Sequence, residues 1–258
     1  MKLNPLQKGL NLAIFIILLI SLGWFGMGDD YANPANPLNT TNPKGVKVAG
    51  SAKSQFIHYI LQRSEISNRQ ILKDRARLLS LYHDYKNDDR INLNNRHWLV
   101  QLSNRYDIDI AKVKTAQDWE AALKRVDIIP NSLVIAQAIN ESAWGRSRFA
   151  IQGNNYFGLW CYREGCGIVP ERRPPGAIYE VAKFPNAQTS VNVYMHNLNT
   201  HSTYKHLRAI RYWLREQNKP VTGLALAPAL VYYSTRREAY VKSITTIIQH
   251  YNLSQYDK

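Results

Sequence analysis

A glutamate at the end of a predicted helix is the residue of this sequence best placed to do chemistry. The run 129–145 opens with helix-start residues such as Pro130 and closes with Gly145, which suits the left-handed position just past a helix. Glu141 therefore falls in the last turn, on a largely apolar face beside the Trp144 indole. Desolvation and the negative end of the helix would both raise the pKa of its carboxyl, as a general acid requires. The spacing alone also fits a solvated surface glutamate.

Two short motifs around this glutamate resemble those of a known family. The run 136–145 reads Ala-Gln-Ala-Ile-Asn-Glu-Ser-Ala-Trp-Gly, and the run 154–158 reads Asn-Asn-Tyr-Phe-Gly. Together they are similar to the hallmark of the glucosaminidase family of peptidoglycan hydrolases, glycoside hydrolase family 73. Further similarity, to one bacterial subgroup of that family, lies in the runs 125–130, 197–201 and 233–235.

The resemblance covers about residues 95–251 and carries expectations about fold and activity. It implies an α+β, mainly helical, lysozyme-like fold with a small β-hairpin lobe. It also implies hydrolysis of the β-1,4 bond between N-acetylglucosamine and N-acetylmuramic acid, so that peptidoglycan glycan strands would be the partner. Carried onto this sequence, the catalytic acid of the family is Glu141.

The second catalytic group of such a glycosidase is open. Retaining and inverting schemes place a partner carboxylate roughly 5 to 9.5 Å from the acid, unless the 2-acetamido group of the substrate acts as nucleophile. The candidates in the predicted lobe are Glu164, Glu171 and Glu180. The resemblance favours Glu171, which lies nearest to where many family members carry a second glutamate. The alternative is that Glu171 is a solvated loop charge.

Aromatic and amide side chains are expected to line the substrate cleft. The run 233–240 resembles a tyrosine-containing motif of the family, which implies a catalytic role for Tyr233 and substrate contact for Tyr240. Asn155 and Tyr156, from the second motif, are expected to bind substrate as well, because sugar rings present apolar C–H faces that pack on aromatic rings. Ordinary core packing is the alternative for the tyrosines.

Helical periodicity dominates the elements that must hold these residues. Apolar residues between 54 and 85 recur at helical spacing and predict two or more amphipathic helices. Further helices are predicted over residues 95–106, 116–126, 133–144, 190–198, 205–217 and 241–251. Strand-like alternation is confined to the Gly-, Pro- and aromatic-rich stretch 155–185, which predicts a small β-hairpin lobe inserted in a helical body.

The N-terminal region predicts an anchor followed by a tether. Residues 10–27 form an uncharged run, which gives roughly 27 Å of helix and can span a bilayer. Lysines precede this run and two aspartates follow it, so the N-terminus is expected in the cytoplasm. We expect a retained signal anchor at 1–28, an Asn- and Pro-rich tether at 29–54 and one domain at 55–258. The predicted location is the inner membrane, with the domain in the periplasm.

The two cysteines of the chain are Cys161 and Cys166. They could form half a zinc site with His196, His201 or His206, but zinc pairs usually have the spacing Cys-x2-Cys, and the chain has no second cysteine pair. An exported domain folds in an oxidising compartment, so a disulfide across the lobe is the favoured interpretation. We therefore expect neither a metal ion nor a cofactor, and we expect His201 to cap or link two helices.

Composition and charge limit the function classes. The chain has 258 residues, 45% of them apolar, and its net charge of +14 suits anionic surroundings such as nucleic acid, lipid headgroups or a cell-wall polymer. Export argues against nucleic acid, and no recognition motif for it is visible. Two classes remain: a peptidoglycan N-acetylglucosaminidase, or a non-catalytic wall-binding protein that keeps the fold without a competent second catalytic group.

Overall fold

The computed structural model of the chain describes residues 51–88, 91–108 and 115–257. The predicted signal anchor and nearly all of the predicted tether lie outside these residues, so both stay predictions. Within the described ranges, no helix combines the length and the apolar character that a membrane crossing needs.

Helices make up most of the described chain. They are α1 Ala52–Asp88, α2 Leu93–Tyr106, α3 Ala116–Arg125, α4 Asn131–Ser142, α5 Arg148–Gly153, α6 Ala187–Thr200, α7 Lys205–Glu216, α8 Gly223–Leu226 and α9 Glu238–His250. Short 3-10 turns occupy Ser202–Tyr204, Ala227–Leu230 and Leu253–Tyr256, and the strands are β1 Trp160–Cys161, β2 Gly167–Ile168 and β3 Glu180–Ala182. The predicted mainly helical α+β class is confirmed.

A single helix, α1, replaces the two or more helices predicted between 54 and 85. It runs for 37 residues because no Gly or Pro interrupts it, and it begins at Ala52, two residues before the predicted end of the tether. Its first half buries residues such as Ile60 in the main core. Its second half buries Leu78 in a separate cluster around Trp119. The change of partner along the helix explains why its apolar pattern is not continuous.

The other predicted helices are all present, with ends within three residues of the predicted ones. Two helices were not predicted, α5 and α8. Each is too short to show helical periodicity, since they have six and four residues.

The lobe at 155–185 is a three-stranded antiparallel sheet and not the predicted hairpin. Strand β3 lies in the middle of the order β1-β3-β2, and Val181 pairs with Trp160 on one side and Ile168 on the other. The two strands that are adjacent in sequence, β1 and β2, are thus separated by β3. A side chain at Gly167 would clash, because a Cβ there would lie 2.1 Å from the Val181 carbonyl oxygen.

The predicted disulfide between Cys161 and Cys166 is confirmed, and it closes the turn between β1 and β2. The buried Glu180 carboxylate holds the same turn, because it accepts hydrogen bonds from the N–H groups of Gly165 at 3.1 Å and Gly167 at 2.7 Å. These two bonds lower the pKa of Glu180. The lobe therefore has a covalent and a polar clamp on one short turn.

The centre of the main core is α4, whose residues from Ser132 to Ile139 are all buried. Helices α1, α8 and α9 and the turn Leu253–Tyr256 pack around it. A helix buried on all sides has no polar stripe, which agrees with the largely apolar character of this segment. The surrounding elements therefore fix the position of whatever side chain emerges at its C-terminal end.

The N-terminus of α4 is held by side chains from distant parts of the chain. The side-chain oxygen of Asn131 accepts hydrogen bonds from Ser64 at 2.8 Å and Asn68 at 3.0 Å, both in α1. The Asp257 carboxylate accepts the backbone N–H of Ser132 at 2.9 Å and its hydroxyl at 2.6 Å. Pro130, the residue just before α4, makes no side-chain cap, so Asp257 supplies one instead.

A buried aspartate just after α3 joins the two hydrophobic clusters. Asp127 accepts two hydrogen bonds from Arg215, at 3.1 and 2.9 Å. Arg75 of α1 and Arg211 of α7 lie 3.5 and 3.9 Å from the same carboxylate. Burial acts to raise the pKa of Asp127, but Arg211, Arg215 and Arg75 outweigh it and hold the pKa below its usual value.

Candidate active site

Glu141 lies in the last turn of α4, as predicted, and its side chain is half-buried. The helix ends at Ser142, where Ala143 takes a left-handed conformation with φ 50° and donates its N–H to the Ile139 carbonyl. The Ser142 hydroxyl then accepts the N–H of Gly145 at 2.8 Å. These bonds close the helix two residues before its predicted end at 144.

The early helix end moves Trp144 away from its predicted place beside Glu141. The indole instead packs edge-on against Phe56 and Tyr251, with ring centroids 6.0 and 4.9 Å apart. Lys53 lies 5.1 Å from the same indole ring. The sequence predicts that Trp144 provides the apolar surroundings of Glu141. In the structure, tyrosines provide them, as described below.

Several groups shift the pKa of the Glu141 carboxyl in opposite directions. Burial raises its pKa, whereas hydrogen bonds from Asn140 and Tyr240 and the positive charge of Arg236 act to lower it. The Asn140 amide donates to Glu141 Oε1 at 3.0 Å. Burial prevails, so the predicted upward shift of the Glu141 pKa is confirmed in direction.

The second sequence motif passes directly beside this carboxyl. Gly158 has a φ of 64°, which favours glycine, and a Cβ at this position would lie 3.5 Å from Glu141 Oε2. Gly158 is exposed, while its neighbours Phe157 and Leu159 are buried. The fold thus brings the runs 136–145 and 154–158 together at one edge of the core.

Four tyrosines surround the inner side of Glu141. They are Tyr194 of α6, Tyr204, Tyr233 and Tyr240 of α9. Tyr233 stacks on Tyr240 with ring centroids 5.3 Å apart, and Tyr204 lies 6.1 Å from Tyr233. Burial raises the pKa of all four, and the nearby Glu141 charge adds to the shift. These phenols are therefore neutral hydrogen-bonding groups at any pH at which the protein works.

A buried glutamine connects two of these tyrosines. The Gln137 amide nitrogen donates to the Tyr240 hydroxyl at 2.9 Å. The Tyr194 hydroxyl donates to the Gln137 amide oxygen. Since Gln137 lies four residues before Glu141, both side chains project from the same face of α4.

The structure brings the predicted residues Tyr233 and Tyr240 to Glu141. Tyr233 is half-buried, and its hydroxyl donates to the Phe157 carbonyl at 2.8 Å, so that its oxygen is left as an acceptor. Tyr240 is fully buried and contacts Glu141 and Gln137. Its predicted contact with substrate stays a prediction, and in the structure the buried side chain lies against the acid.

Asn155 and Tyr156, predicted to bind substrate, have packing roles in the structure. The buried Asn155 amide donates to the carbonyls of Leu159 at 2.8 Å and Ala182 at 2.9 Å, which ties the loop to the sheet. Tyr156 is fully buried, with its ring 6.1 Å from that of Phe56. The side chains of both residues face the interior, and their predicted contacts with substrate stay predictions.

The three candidate partner carboxylates lie in different surroundings. Glu171 has an 82% exposed side chain and faces Arg148 at 3.8 Å. Glu164 is exposed, and Glu180 is used in the turn clamp described above. The groups that shift the pKa of Glu141 are Asn140, Tyr240 and Arg236, and Glu171 is not one of them. The predicted catalytic role of Glu171 stays a prediction.

The cysteine pair also meets a carboxylate. Ligand atoms of Cys161, Cys166 and Glu180 come within 4.8 Å of one another. The disulfide uses both sulfurs, and Glu180 accepts two backbone N–H groups, so these donors are already engaged. His201 accepts the N–H of Thr203 at 3.2 Å and caps the turn after α6, which confirms its predicted capping role.

Several residues around Glu141 were not predicted from the sequence. Gln137 lies in the first motif, and its spacing of four from Glu141 is a signal that could have identified it. Tyr194 and Tyr204 come from elements more than fifty residues downstream, and no local pattern links them to Glu141. Arg236 follows Tyr233 closely, but only the fold shows that it lies near the acid.

Comparisons with known proteins identify the family of this chain. The glucosaminidase family model, described as mannosyl-glycoprotein endo-beta-N-acetylglucosaminidase, matches residues 116–253. Protein bax of Escherichia coli (strain K12) is 35% identical over 142 residues, which are 55% of this chain and 50% of that protein. The chain thus spans about half the length of this curated relative.

Among solved structures, the catalytic domain of the autolysin Auto from Listeria monocytogenes aligns with a TM-score of 0.44 at 18% identity, covering 83% of this chain and 92% of that one. The family model includes α4 with Glu141, the loop with Gly158 and the tyrosines of α6 and α9. Because that model matches more than half of the sequence, the chain belongs to the glucosaminidase family.

Proposed function

We propose that the protein is a peptidoglycan hydrolase, an endo-β-N-acetylglucosaminidase that cleaves the β-1,4 bond between N-acetylglucosamine and N-acetylmuramic acid. The observation that carries the proposal is the Glu141 carboxyl, half-buried at the end of α4 with its pKa raised by burial. A carboxyl that stays protonated to higher pH is suited to act as general acid. Membership of the glucosaminidase family supports the same reaction class.

Proton transfer from Glu141 would start the reaction. The protonated carboxyl gives its proton to the glycosidic oxygen while the C1–O bond breaks, and the bonding electrons leave with that oxygen. The resulting Glu141 carboxylate is stabilised by the hydrogen bonds from Asn140 and Tyr240. Burial makes the protonated form the better ground state, and the two donors then limit the cost of ionisation.

Two candidates for the second catalytic group are compatible with this proposal. One is Glu171, as base or nucleophile; the other is the 2-acetamido group of the substrate or a water molecule. The Tyr233 oxygen supports the second candidate, since its proton is committed to the Phe157 carbonyl and it can accept a hydrogen bond from a water. The experiment below separates the two.

The test is digestion of purified sacculi, with the new reducing ends identified by mass spectrometry. Glu141→Gln keeps the shape of the side chain but cannot supply the proton, so we expect turnover to fall by at least about 100-fold while binding to sacculi persists. Glu164→Gln is the matched control, because Glu164 is an exposed glutamate of the lobe. The reducing-end sugar should be N-acetylglucosamine.

The same assay distinguishes the remaining possibilities. A loss in Glu171→Gln as large as that in Glu141→Gln would assign Glu171 as base or nucleophile, whereas a change below about tenfold would favour the acetamido group or water. If wild type and Glu141→Gln release equal amounts of reducing sugar, the hydrolase proposal fails. A non-catalytic wall-binding protein would then be the surviving function.

We also propose that the domain is anchored in the inner membrane and works in the periplasm. The uncharged run 10–27, with lysines before it and aspartates after it, supports this orientation. The Cys161–Cys166 disulfide supports an oxidising compartment. We expect the full-length protein in the membrane fraction after alkaline washing, and recovery of a soluble form that starts between residues 28 and 54 would contradict the retained anchor.

A further inference from the structure

A chain of buried polar side chains leads from α6 to the candidate acid. The Tyr194 hydroxyl donates to the Gln137 amide oxygen, and the Gln137 amide nitrogen donates to the Tyr240 hydroxyl at 2.9 Å. The Tyr240 hydroxyl then lies beside the Glu141 carboxyl, where donation of its proton acts to lower the pKa of Glu141. The side chains of Tyr194, Gln137 and Tyr240 are fully buried, so bulk water does not compete for these groups.

The directions of these bonds depend on one another. A carboxamide has one end that accepts and one end that donates, and a phenol has a single proton. Because Tyr194 donates to the amide oxygen of Gln137, the amide nitrogen must face Tyr240. The Tyr240 oxygen then accepts from Gln137, and its own proton is left for Glu141. Rotation of the amide by 180° would offer Tyr240 the amide oxygen instead, and Glu141 would lose this donor.

We infer that Tyr194 is a positioning residue: it holds the Gln137 amide so that the proton of the Tyr240 hydroxyl is directed toward Glu141. Tyr194 does not touch the substrate in this scheme; it acts through the next group in the chain. The inference rests on the proposed function only in giving Glu141 the role of acid. It adds a reason for the buried polar groups behind Glu141 that packing does not supply, since an apolar side chain would fill the same volume.

The consequence is a defined change in the titration of Glu141. Without the Tyr194 hydroxyl the amide of Gln137 is free to turn, so Tyr240 can donate to it rather than to the carboxylate. The ionised form of Glu141 is then less stabilised and its pKa rises. The other groups that face Glu141 are Asn140 from α4 and Arg236 from the loop before α9, and neither is altered. Tyr204 and Tyr233 stay neutral.

The test compares Tyr194→Phe with Tyr204→Phe. Tyr204 is a suitable tyrosine for the control, because it is buried near Glu141 and its hydroxyl faces Asn197 rather than Gln137. The pKa of Glu141 is followed by 13C NMR of labelled glutamate carboxyls, with the signal assigned by its loss in Glu141→Gln. We expect an upward shift of about one unit in Tyr194→Phe and no shift in Tyr204→Phe.

A second variant, Gln137→Leu, keeps the inference falsifiable if Tyr194→Phe folds poorly. It removes the competing acceptor altogether, so Tyr240 keeps Glu141 as its acceptor, and we expect a Glu141 pKa near that of wild type. The inference is overturned if Tyr194→Phe titrates like wild type, if Tyr204→Phe shifts equally, or if Gln137→Leu shows the shift expected of Tyr194→Phe. Because NMR needs no turnover, a failure here is distinguishable from a failure of wild type to release reducing sugar.

Discussion

At the residue scale, the proposed chemistry depends on the pKa of the Glu141 carboxyl, which sets whether the group is protonated. Burial favours the protonated form of Glu141, while Asn140, Tyr240 and Arg236 favour the ionised form. Tyr240 is held in place by its bond with Gln137. Arg236 is exposed and reaches the site through a 3.5 Å contact with Asn140 and a cation–π contact with Tyr240. The effect of Arg236 on the Glu141 pKa is therefore the one that depends most on the salt concentration.

Replacement of Arg236 should move the alkaline limb of the pH–activity profile. Removing a positive charge destabilises the Glu141 carboxylate, so its pKa rises and the protonated acid persists to higher pH. We expect the alkaline limb of kcat/KM in Arg236→Gln to move up by about 0.3 units at low salt, and by less at high salt because the exposed charge is screened. Arg237→Gln is the control, since Arg237 is also exposed but stacks on Tyr232. A downward shift of the alkaline limb in Arg236→Gln would contradict the idea that Arg236 stabilises the Glu141 carboxylate.

The direction of the Glu141 pKa shift could be predicted from its place in a buried helix, but its neighbours could not. The sequence indicated Trp144 as the apolar neighbour by assuming that the helix continues to residue 144. The left-handed conformation of Ala143 ends the helix earlier. The pattern of polar and apolar residues along the helix does not indicate which residue takes this conformation. The phenols that replace the indole are contributed by α6 and α9, whose approach to α4 is a property of tertiary packing.

At the element scale, α4 is fixed more firmly at its start than its own sequence suggests. Pro130 makes no side-chain cap, and the orphan N–H of Ser132 is satisfied by Asp257 from the end of the described chain. Asp257 also accepts the N–H of Gly223 at 2.9 Å, which joins the starts of α4 and α8. Pro and Gly signals place the two ends of α4 to within two residues, but a cap from over 100 residues away has no such signal.

Loss of this cap should destabilise the domain. Asp257→Ala leaves two backbone donors without their acceptor, so we expect the free energy of unfolding to fall by about 1–2 kcal/mol. Gln255→Ala is the matched control in the same turn, because its side chain is exposed and bonds only the nearby Asn252 carbonyl. Urea denaturation followed by circular dichroism measures both. Equal stability of the two variants would show that water replaces the Asp257 carboxylate without cost.

At the scale of the whole molecule, the described chain has two hydrophobic clusters joined by α1 and by the ion network of Asp127. The main cluster contains α4, and the second surrounds Trp119. The sequence predicted helices on both sides of this junction through their apolar periodicity. It did not indicate the junction, because the arginines that meet Asp127 come from α1 and α7 and look like ordinary solvated charges in a basic chain.

Two buried aspartates should give opposite pH dependences of stability. The pKa of Asp127 is held low by Arg211, Arg215 and Arg75, so its stabilising contribution is complete above the unfolded value of about 3.9 and is lost as pH falls through the lower folded pKa. The pKa of Asp74 is raised by burial despite Arg105 and Tyr106. Its contribution is therefore present below about pH 3.9 and is lost as pH rises through the folded pKa.

Asp127→Asn and Asp74→Asn test this contrast by urea denaturation between about pH 3 and pH 6. Asp127→Asn leaves the fully buried Arg211 without its counter-charge, so we expect a loss of about 3 kcal/mol at pH 6 that shrinks toward pH 3. The stability advantage of wild type over Asp74→Asn should instead decrease as the pH rises. The same trend in both variants would mean that burial dominates at both sites and that the three arginines do not hold Asp127 in its ionised form.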